Sequence, residues 1–347
     1  MPTDWYPRSI SFSSGGVRTI GHLGVLARLL ETGLAAHVTD WYGCSGGSIT
    51  AIFGAIGVSA AWIRDCVRQF DTRHMFTIQE EFIMDYMVHW GMDSGEHMIT
   101  YLGKILDTWE PGVSMWTFAD FARERPGVFL GITAVNLETR TLDLFSVKQT
   151  PNIRLLDAIR ASSAIPFIYT PWRSPQGDLY CDGAILERCP WFHVRQKKET
   201  LVVACERSQI TGVGITGRAI HTFADYCMRI LFLHLIEPTD ESPRYWIAVN
   251  NTTVTSIDFK MSSEERFALF KEGEVAADSW IAFRQARCAK MLQTPPDSVH
   301  PHTSSESRPS AGDKTSDIRR LRIPSPRQAA ARDSQGGTPR SCRRWSL

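Results

Sequence analysis

One serine of the chain lies in a glycine-rich pattern that is typical of serine nucleophiles. Ser45 stands at the centre of the spacing G-x-S-x-G, and the other positions are Gly43, Cys44, Gly46 and Gly47. In enzymes with this pattern the serine occupies a sharp turn between a strand and a helix, where flanking glycines leave room for the bend and the substrate. A serine that only caps a helix also fits the pattern. Ser45 is therefore a candidate nucleophile, and it would need a proton acceptor and groups that stabilise an oxyanion.

A second glycine turn offers groups that could assist such a nucleophile. It reads SSGGVRT over residues 13–19 and contains Gly15 and Gly16. When a serine attacks an ester carbonyl, negative charge develops on the oxygen, and preorganised backbone N–H groups stabilise it. A phosphate-binding loop is the competing interpretation, but the turn lacks both the Lys-Ser/Thr of a P-loop and a full G-x-G-x-x-G pattern.

Asp182 is the candidate general base. It follows the short apolar run of residues 179–181 and precedes Gly183, which would place its carboxylate at the end of a strand. A serine nucleophile needs such a proton acceptor. Asp-Gly between apolar segments also predicts a tight β-hairpin, so the residue alone leaves both interpretations open.

The elements around these residues predict an α/β fold. Ile10 and Phe12 alternate with serines as in a strand, and apolar residues then recur at helical spacing from Ile20 until Gly33 ends the helix. Residues 38–56 repeat the order of strand, glycine turn and helix. Two such units in succession indicate a mainly parallel sheet covered by helices. Both glycine turns then fall at the carboxyl ends of strands, where ligands bind in such sheets.

Four motifs, taken in order, resemble the patatin-like phospholipase family. They are SSGGVRTIGHLGVL, GCSGG, IRASSAIPFIYTPW at residues 159–172, and DGA at residues 182–184; a weaker similarity continues to FKMSSEERFALFKEGEVAADSWI. The resemblance implies a three-layer α/β/α fold with a mainly parallel central sheet. It also implies hydrolysis of fatty-acyl esters of phospholipids or acylglycerols by a Ser-Asp catalytic dyad, with neither metal nor cofactor.

Carried over residue by residue, the resemblance assigns the site. Ser45 matches the nucleophile and Asp182 the base. The oxyanion loop matches Gly15, Gly16, Val17 and Arg18, with Gly46 as a further donor, and Gly183 and Ala184 complete the DGA motif. The chain departs from the family pattern in having Ser14 and Thr19 in place of two loop glycines, and in lacking an asparagine before Pro190.

The composition of the chain and the spacing of its cysteines restrict the class of protein and its cellular compartment further. The 347 residues are 43% hydrophobic with a formal net charge of +1, as expected for a globular protein without a nucleic acid partner. The N-terminus shows neither a secretory signal nor a transit peptide. Eight singly spaced cysteines predict reduced, structural thiols and no zinc site. We therefore expect a cytoplasmic protein that contacts membranes or lipid droplets peripherally.

The domain organisation is predicted to be uneven. Residues 8–292 carry the patatin-like domain, and residues 293–347 are a Pro/Ser/Arg-rich segment too polar to repay the entropy of ordering. From Thr303 onward this segment has ten basic and four acidic residues. Its composition predicts either a solvated tail without a fixed partner or a segment attracted to acidic surfaces, nucleic acid or anionic lipid.

Two other functions fit the same motifs. An α/β-hydrolase-type esterase would add a histidine to form a Ser-His-Asp triad, with His193, His221 and His234 as candidates. A non-catalytic lipid-binding protein on the same fold is the second alternative. Two apolar segments stay ambiguous: residues 75–106, rich in Met and aromatic residues, are either core or the wall of an acyl channel, and residues 226–236 are a buried or an interfacial helix.

Overall fold

The computed structural model of the chain describes residues 5–205, 243–250 and 254–293. His221, His234, the apolar run 226–236 and the basic tail lie outside the described residues. The described strands are β1 (Ser9–Phe12), β2 (Asp40–Cys44), β3 (Phe129–Asn136), β4 (Thr141–Phe145), β5 (Trp172–Arg173), β6 (Leu179–Asp182), β7 (Thr200–Ala204) and β8 (Tyr245–Ala248).

The described helices flank one mixed sheet. They are α1 (Ile20–Glu31), α2 (Gly46–Ile56), α3 (Ala60–Gln69), α4 (Glu80–Met84), α5 (Tyr86–His89), α6 (Glu96–Trp109), α7 (Phe118–Glu124), α8 (Leu155–Ser162) and α9 (Ser263–Gln293). Short 3-10 helices include Gly16–Thr19, Thr72–Met75 and Gly183–Ile185. Within residues 5–205, 243–250 and 254–293, no helix is long and apolar enough to cross a membrane.

The strand order across the sheet is β5-β6-β3-β2-β1-β7-β8, and β4 pairs with β3. The strands β3, β2, β1, β7 and β8 run parallel to one another, whereas β4 and β6 run antiparallel to β3. The residues of β1, β2, β3 and β7 are all buried, as expected for parallel strands covered on both faces. The α/β class and the mainly parallel sheet predicted from the sequence are confirmed.

Two strands meet end to end along β3. The strand β4 occupies one edge of β3 over Ile132–Asn136, so β2 and β6 must share the other edge. Cys44, the last residue of β2, pairs with Thr133, and Asp182, the last residue of β6, pairs with the next residue, Ala134. Because β2 and β6 run in opposite directions, their carboxyl ends point at each other. The register therefore brings Asp182 next to the residue that follows Cys44, which is Ser45.

The two faces of the sheet are packed by different segments. On one face, side chains such as Ile10, Phe12 and Trp41 join a large apolar core with α1 and α2. On the other face, Tyr42 packs in a smaller cluster with Trp191. Alternating residues of one strand thus enter different cores, as the two-residue period of a strand requires.

Candidate active site

Ser45 lies on a strained turn between β2 and α2. Its backbone has φ 53° and ψ −132°, while α2 begins at the next residue. Non-glycine residues rarely adopt positive φ, and such conformations cost on the order of 1–3 kcal/mol. The side chain of Ser45 makes no capping hydrogen bond to α2, so the interpretation of Ser45 as a helix cap is wrong. The turn instead directs its hydroxyl towards β6.

The hydroxyl of Ser45 donates directly to the carboxylate of Asp182. The distance from Ser45 Oγ to Asp182 Oδ2 is 2.6 Å, and the two residues are 3% and 2% exposed. The other carboxylate oxygen, Oδ1, accepts the backbone N–H of Ala184 at 2.8 Å. Asp182 therefore begins the 3-10 helix Gly183–Ile185, and the hairpin predicted from Asp-Gly does not form. The carboxylate is fixed on one side and faces the serine on the other.

Burial changes the acidity of Asp182. Removal from water disfavours the charged carboxylate and raises its pKa to about 6, although the hydrogen bonds from Ser45 and Ala184 oppose this shift. A carboxylate with such a pKa is a better proton acceptor than an ordinary aspartate, yet it is still ionised at neutral pH. The site thus contains a hydroxyl and a usable base within hydrogen-bonding distance.

Ser162 holds the backbone of the nucleophile turn. Its Oγ accepts the N–H of Ser45 at 2.8 Å and donates to the carbonyl of Thr133 at 2.6 Å. It thereby ties the end of α8 to the junction of β2 and β3. The sequence motif that contains Ser162 contributed to the family resemblance, but it assigned no role to this side chain. A buried hydroxyl between two backbone groups leaves no periodic signal in a sequence.

Ser162→Ala is expected to destabilise the fold and slow turnover. The variant leaves the N–H of Ser45 buried without this acceptor and removes one hydrogen bond to the carbonyl of Thr133, which costs roughly 1–3 kcal/mol of unfolding free energy. A displaced nucleophile would lower kcat by on the order of tenfold to a hundredfold. Urea unfolding measures the change in unfolding free energy, and ester assays measure the change in kcat. The matched control is Ser163→Ala, whose hydroxyl has no hydrogen-bond partner among the described residues; equal unfolding free energies for the two variants would contradict the anchoring role.

The two glycine turns contact each other through their backbones. Gly16 has φ +57°, and a Cβ at this position would lie 1.9 Å from the carbonyl oxygen of Ser256. A Cβ on Gly46 would lie 2.6 Å from the carbonyl oxygen of Gly16 and equally close to Oγ1 of Thr19. Only glycine fits at either position. Gly16 and Gly46 therefore lie side by side next to Ser45.

Not every backbone donor of the first turn is available. The N–H of Val17 donates to Ser256 O at 3.0 Å, and the N–H of Arg18 donates to Gly15 O at 3.2 Å. The N–H groups of Gly15, Gly16 and Gly46 take part in none of the hydrogen bonds found between described residues. Since Gly16 and Gly46 line the same pocket as Ser45, they are the best-placed donors.

An apolar pocket opens beside Ser45. Its side chains come mainly from α1, α2 and the segments around residues 70–75 and 163–169; they include Val17, Ile20, Leu23, Ile49, Phe53, Phe70, Met75, Met98, Ile165, Tyr169 and Phe259. The Met- and aromatic-rich segment 75–106 thus contributes Met75 and Met98 to the wall, while other residues of it, such as Leu102, lie in the core. The lining suits a hydrocarbon chain rather than a polar ligand.

The histidines of the described residues make other contacts. His193 shares a hydrogen bond of 3.0 Å with the carbonyl of Leu142 on β4. His22 is buried on α1, its Nε2 is 3.3 Å from Sγ of Cys205, and burial lowers its pKa to about 3. Neither bonds to Ser45 or Asp182.

Glu187 is a buried acid that the sequence did not single out. Its Oε1 accepts the N–H groups of Trp191 and Phe192, and burial raises its pKa to about 7. It lies five residues beyond Asp182, near the segment that lacks the asparagine of the family pattern. It is a second group that titrates near neutral pH close to the site.

The chain combines a mainly parallel sheet with a G-x-S-x-G turn at a strand end, an arrangement that is typical of serine hydrolases with an α/β fold. The sequence profile of the family described as "Patatin-like phospholipase" matches residues 10–194. The chain belongs to the patatin-like phospholipase family. The match covers strands β1 to β6 apart from Ser9, both glycine turns and Asp182, and it ends before β7 and β8.

Two viral proteins are similar to about half of the chain. It is 24% identical over 185 residues to "Probable lipid hydrolase 463L" of Invertebrate iridescent virus 6, covering 53% of the chain and 62% of that protein. It is 26% identical over 180 residues to "Uncharacterized protein R571" of Acanthamoeba polyphaga mimivirus, covering 51% of the chain and 57% of that protein. The chain thus spans less than two thirds of the length of either relative.

The fold resembles that of a solved bacterial protein. VipD from Legionella pneumophila superposes with a TM-score of 0.51 at 17% identity, over 80% of this chain and 67% of that one. At this identity the similarity concerns the fold alone.

Proposed function

We propose that the chain hydrolyses fatty-acyl esters of phospholipids or acylglycerols, with Ser45 as nucleophile and Asp182 as general base. The observation that carries the proposal is the direct 2.6 Å hydrogen bond between Ser45 Oγ and Asp182 Oδ2. Family membership and the apolar pocket support the lipid class of substrate. A Ser-His-Asp triad is disfavoured because the serine already donates to the aspartate, with no histidine between them.

In the first half of the reaction, Ser45 becomes acylated. Its Oγ forms a bond to the acyl carbon while its proton passes to Oδ2 of Asp182. The negative charge that develops on the carbonyl oxygen is stabilised by the N–H groups of Gly16 and Gly46. When the intermediate collapses, the ester C–O bond breaks and Asp182 returns the proton to the leaving alcohol.

In the second half, water releases the fatty acid. Asp182 accepts a proton from the attacking water, and the new tetrahedral intermediate uses the same two N–H groups. Collapse then breaks the bond to Ser45 Oγ, which recovers its proton from Asp182. The acyl chain occupies the apolar pocket throughout, so the headgroup lies on the solvent side. We propose a cytoplasmic placement, with lipid contacted peripherally.

The pH dependence of kcat/KM tests the proposed base. Since Asp182 must be ionised to accept a proton and its pKa is about 6, hydrolysis of a soluble short-chain ester is expected to rise with pH and level off above about pH 7. A Glu187→Gln variant separates the contribution of the neighbouring acid, and its curve should keep the limb near pH 6. A purified protein that hydrolyses neither short-chain esters nor phospholipid vesicles at any pH would overturn the proposed function.

A further inference from the structure

Several large apolar side chains near the pocket are exposed to solvent. They lie on α4 and α5, directly before and after these two helices, and in the turn that follows α8, and we call them the apolar rim: Ile78, Met84, Met87, Val88, Trp90 and Phe167. Met84 and Met87 are each 84% exposed. Single exposed apolar residues are common on protein surfaces, but a group that clusters beside a pocket indicates an interaction site.

The apolar rim is attached to the wall of the pocket. The hydroxyl of Tyr86 on α5 donates to the carbonyl of Phe167 at 3.1 Å, and the N–H of Met92 donates to the carbonyl of Ile168 at 2.9 Å. Phe167 itself lies between Ile165 and Tyr169, which both line the pocket. The exposed surface and the pocket wall therefore share one backbone segment.

Two aromatic residues of the rim adopt an unfavourable backbone conformation. Phe167 has φ 71° and Trp90 has φ 59°, although neither is glycine. Bulky residues rarely occur at positive φ, and such strain clusters at functional sites. The fold thus bears a conformational cost at two residues whose rings are exposed to solvent.

We propose that the apolar rim inserts into the surface of a zwitterionic phospholipid layer, which has no net charge, and presents the pocket to it. This inference rests on the proposed function, because an acyl chain must pass from that layer into the pocket. Tryptophan is favoured at the level of lipid headgroups, and flexible methionines adapt to irregular apolar surroundings.

The charge of the rim selects the type of lipid. Glu80 and Glu81 on α4 and Asp85 between α4 and α5 are exposed as well. These three carboxylates would be repelled by an anionic lipid surface and tolerate a zwitterionic one. The rim therefore differs in preference from the basic tail, for which anionic lipid is one of the partners that the composition predicts.

Sedimentation with vesicles of pure phosphatidylcholine tests the rim. The full-length chain is compared with Met84→Ser/Met87→Ser, and both carry Ser45→Ala so that no lipid is hydrolysed during the measurement. We expect the double substitution to raise the apparent Kd for the vesicles at least tenfold. The same double substitution in the chain with Ser45 intact should keep the hydrolysis of a soluble short-chain ester, because neither methionine lines the pocket.

Phe192→Ser is the matched control. Phe192 is 76% exposed, but it follows Trp191, which packs on the opposite face of the sheet. This variant should bind vesicles as well as its parent. Three outcomes would overturn the proposal: unchanged binding by the double variant, an equal loss of binding in Phe192→Ser, or no binding by the parent chain. The rim would then be better explained as a contact surface for another protein. If the rim is needed for binding but the protein hydrolyses no ester, the proposed function is contradicted while the proposed lipid contact stands.

Discussion

Ser45→Ala is expected to abolish ester hydrolysis while the protein stays folded. The hydroxyl forms the covalent intermediate, and loss of a nucleophile of this kind lowers kcat by on the order of 10⁴-fold or more. Among the described residues the hydroxyl hydrogen-bonds to Asp182 alone, so the change in unfolding free energy should stay within about 1–3 kcal/mol. Ester assays, covalent labelling by a fluorophosphonate and urea unfolding of the purified variant measure the three quantities.

A serine elsewhere supplies the control for this experiment. Ser59 caps α3 by accepting the N–H of Trp62, and it is exposed to solvent. Ser59→Ala should therefore lose a little stability but retain turnover and labelling. Wild-type turnover in Ser45→Ala would falsify the assignment of the nucleophile.

Asp182→Asn is expected to suppress turnover by orders of magnitude and, above pH 7, to stabilise the fold. The amide can still accept the N–H of Ala184 and donate to Ser45, but it cannot take up a proton from the serine. Single replacement of His193 by alanine should keep most of the activity, since its ring bonds to β4. A histidine whose removal matched the loss at Ser45 would favour a triad, and His221 and His234 belong in the same test.

The expected gain in stability follows from the pKa of the aspartate. Its value is about 6 in the folded chain against an ordinary value of 3.8, so the folded state retains the proton more strongly than the unfolded state. The contribution of Asp182 to the free energy of unfolding is fully present below about pH 4 and is lost as the pH rises through 6. The difference is about 3 kcal/mol.

Thermal unfolding of both proteins at two pH values checks this sign. Asp182→Asn and the wild type should melt at similar temperatures near pH 4, where the aspartate is protonated. At pH 8 the variant should melt at the higher temperature. A lower melting temperature for the variant at pH 8 would mean that the carboxylate stabilises the fold and is not a strained base.

The sequence predicted the strands and helices around the site better than the way in which β2 and β6 meet on β3. Ile10 and Phe12 lie in β1, the helical periodicity from Ile20 corresponds to α1, and Gly33 has a positive φ after that helix. These features are local, and each is encoded by a few neighbouring residues. The end-to-end meeting of β2 and β6 on β3 depends on pairing between segments about 90 and 50 residues apart, which no periodicity reports.

Contacts made by single side chains also could not be predicted from the sequence. Ser162 acts through two backbone groups, and the pKa of Glu187 depends on burial, so neither residue type indicates its role. The apolar rim is a similar case. A pattern of Met and aromatic residues predicts burial, and only the tertiary structure shows that Met84 and Met87 face solvent while Met75 and Met98 line a pocket.

The positive φ of Ser45 has a consequence for protein engineering and for evolution. Glycine adopts this conformation without strain, so Ser45→Gly relieves the turn and removes the nucleophile in the same step. Because the same change also removes the hydrogen bond to Asp182, whose loss costs a similar free energy, selection for heat resistance alone would tolerate an inactive protein with glycine at this position. In nature, a lineage released from selection for hydrolysis would lose the nucleophile here at little cost in stability, so a retained serine would have to be maintained by selection for its chemistry.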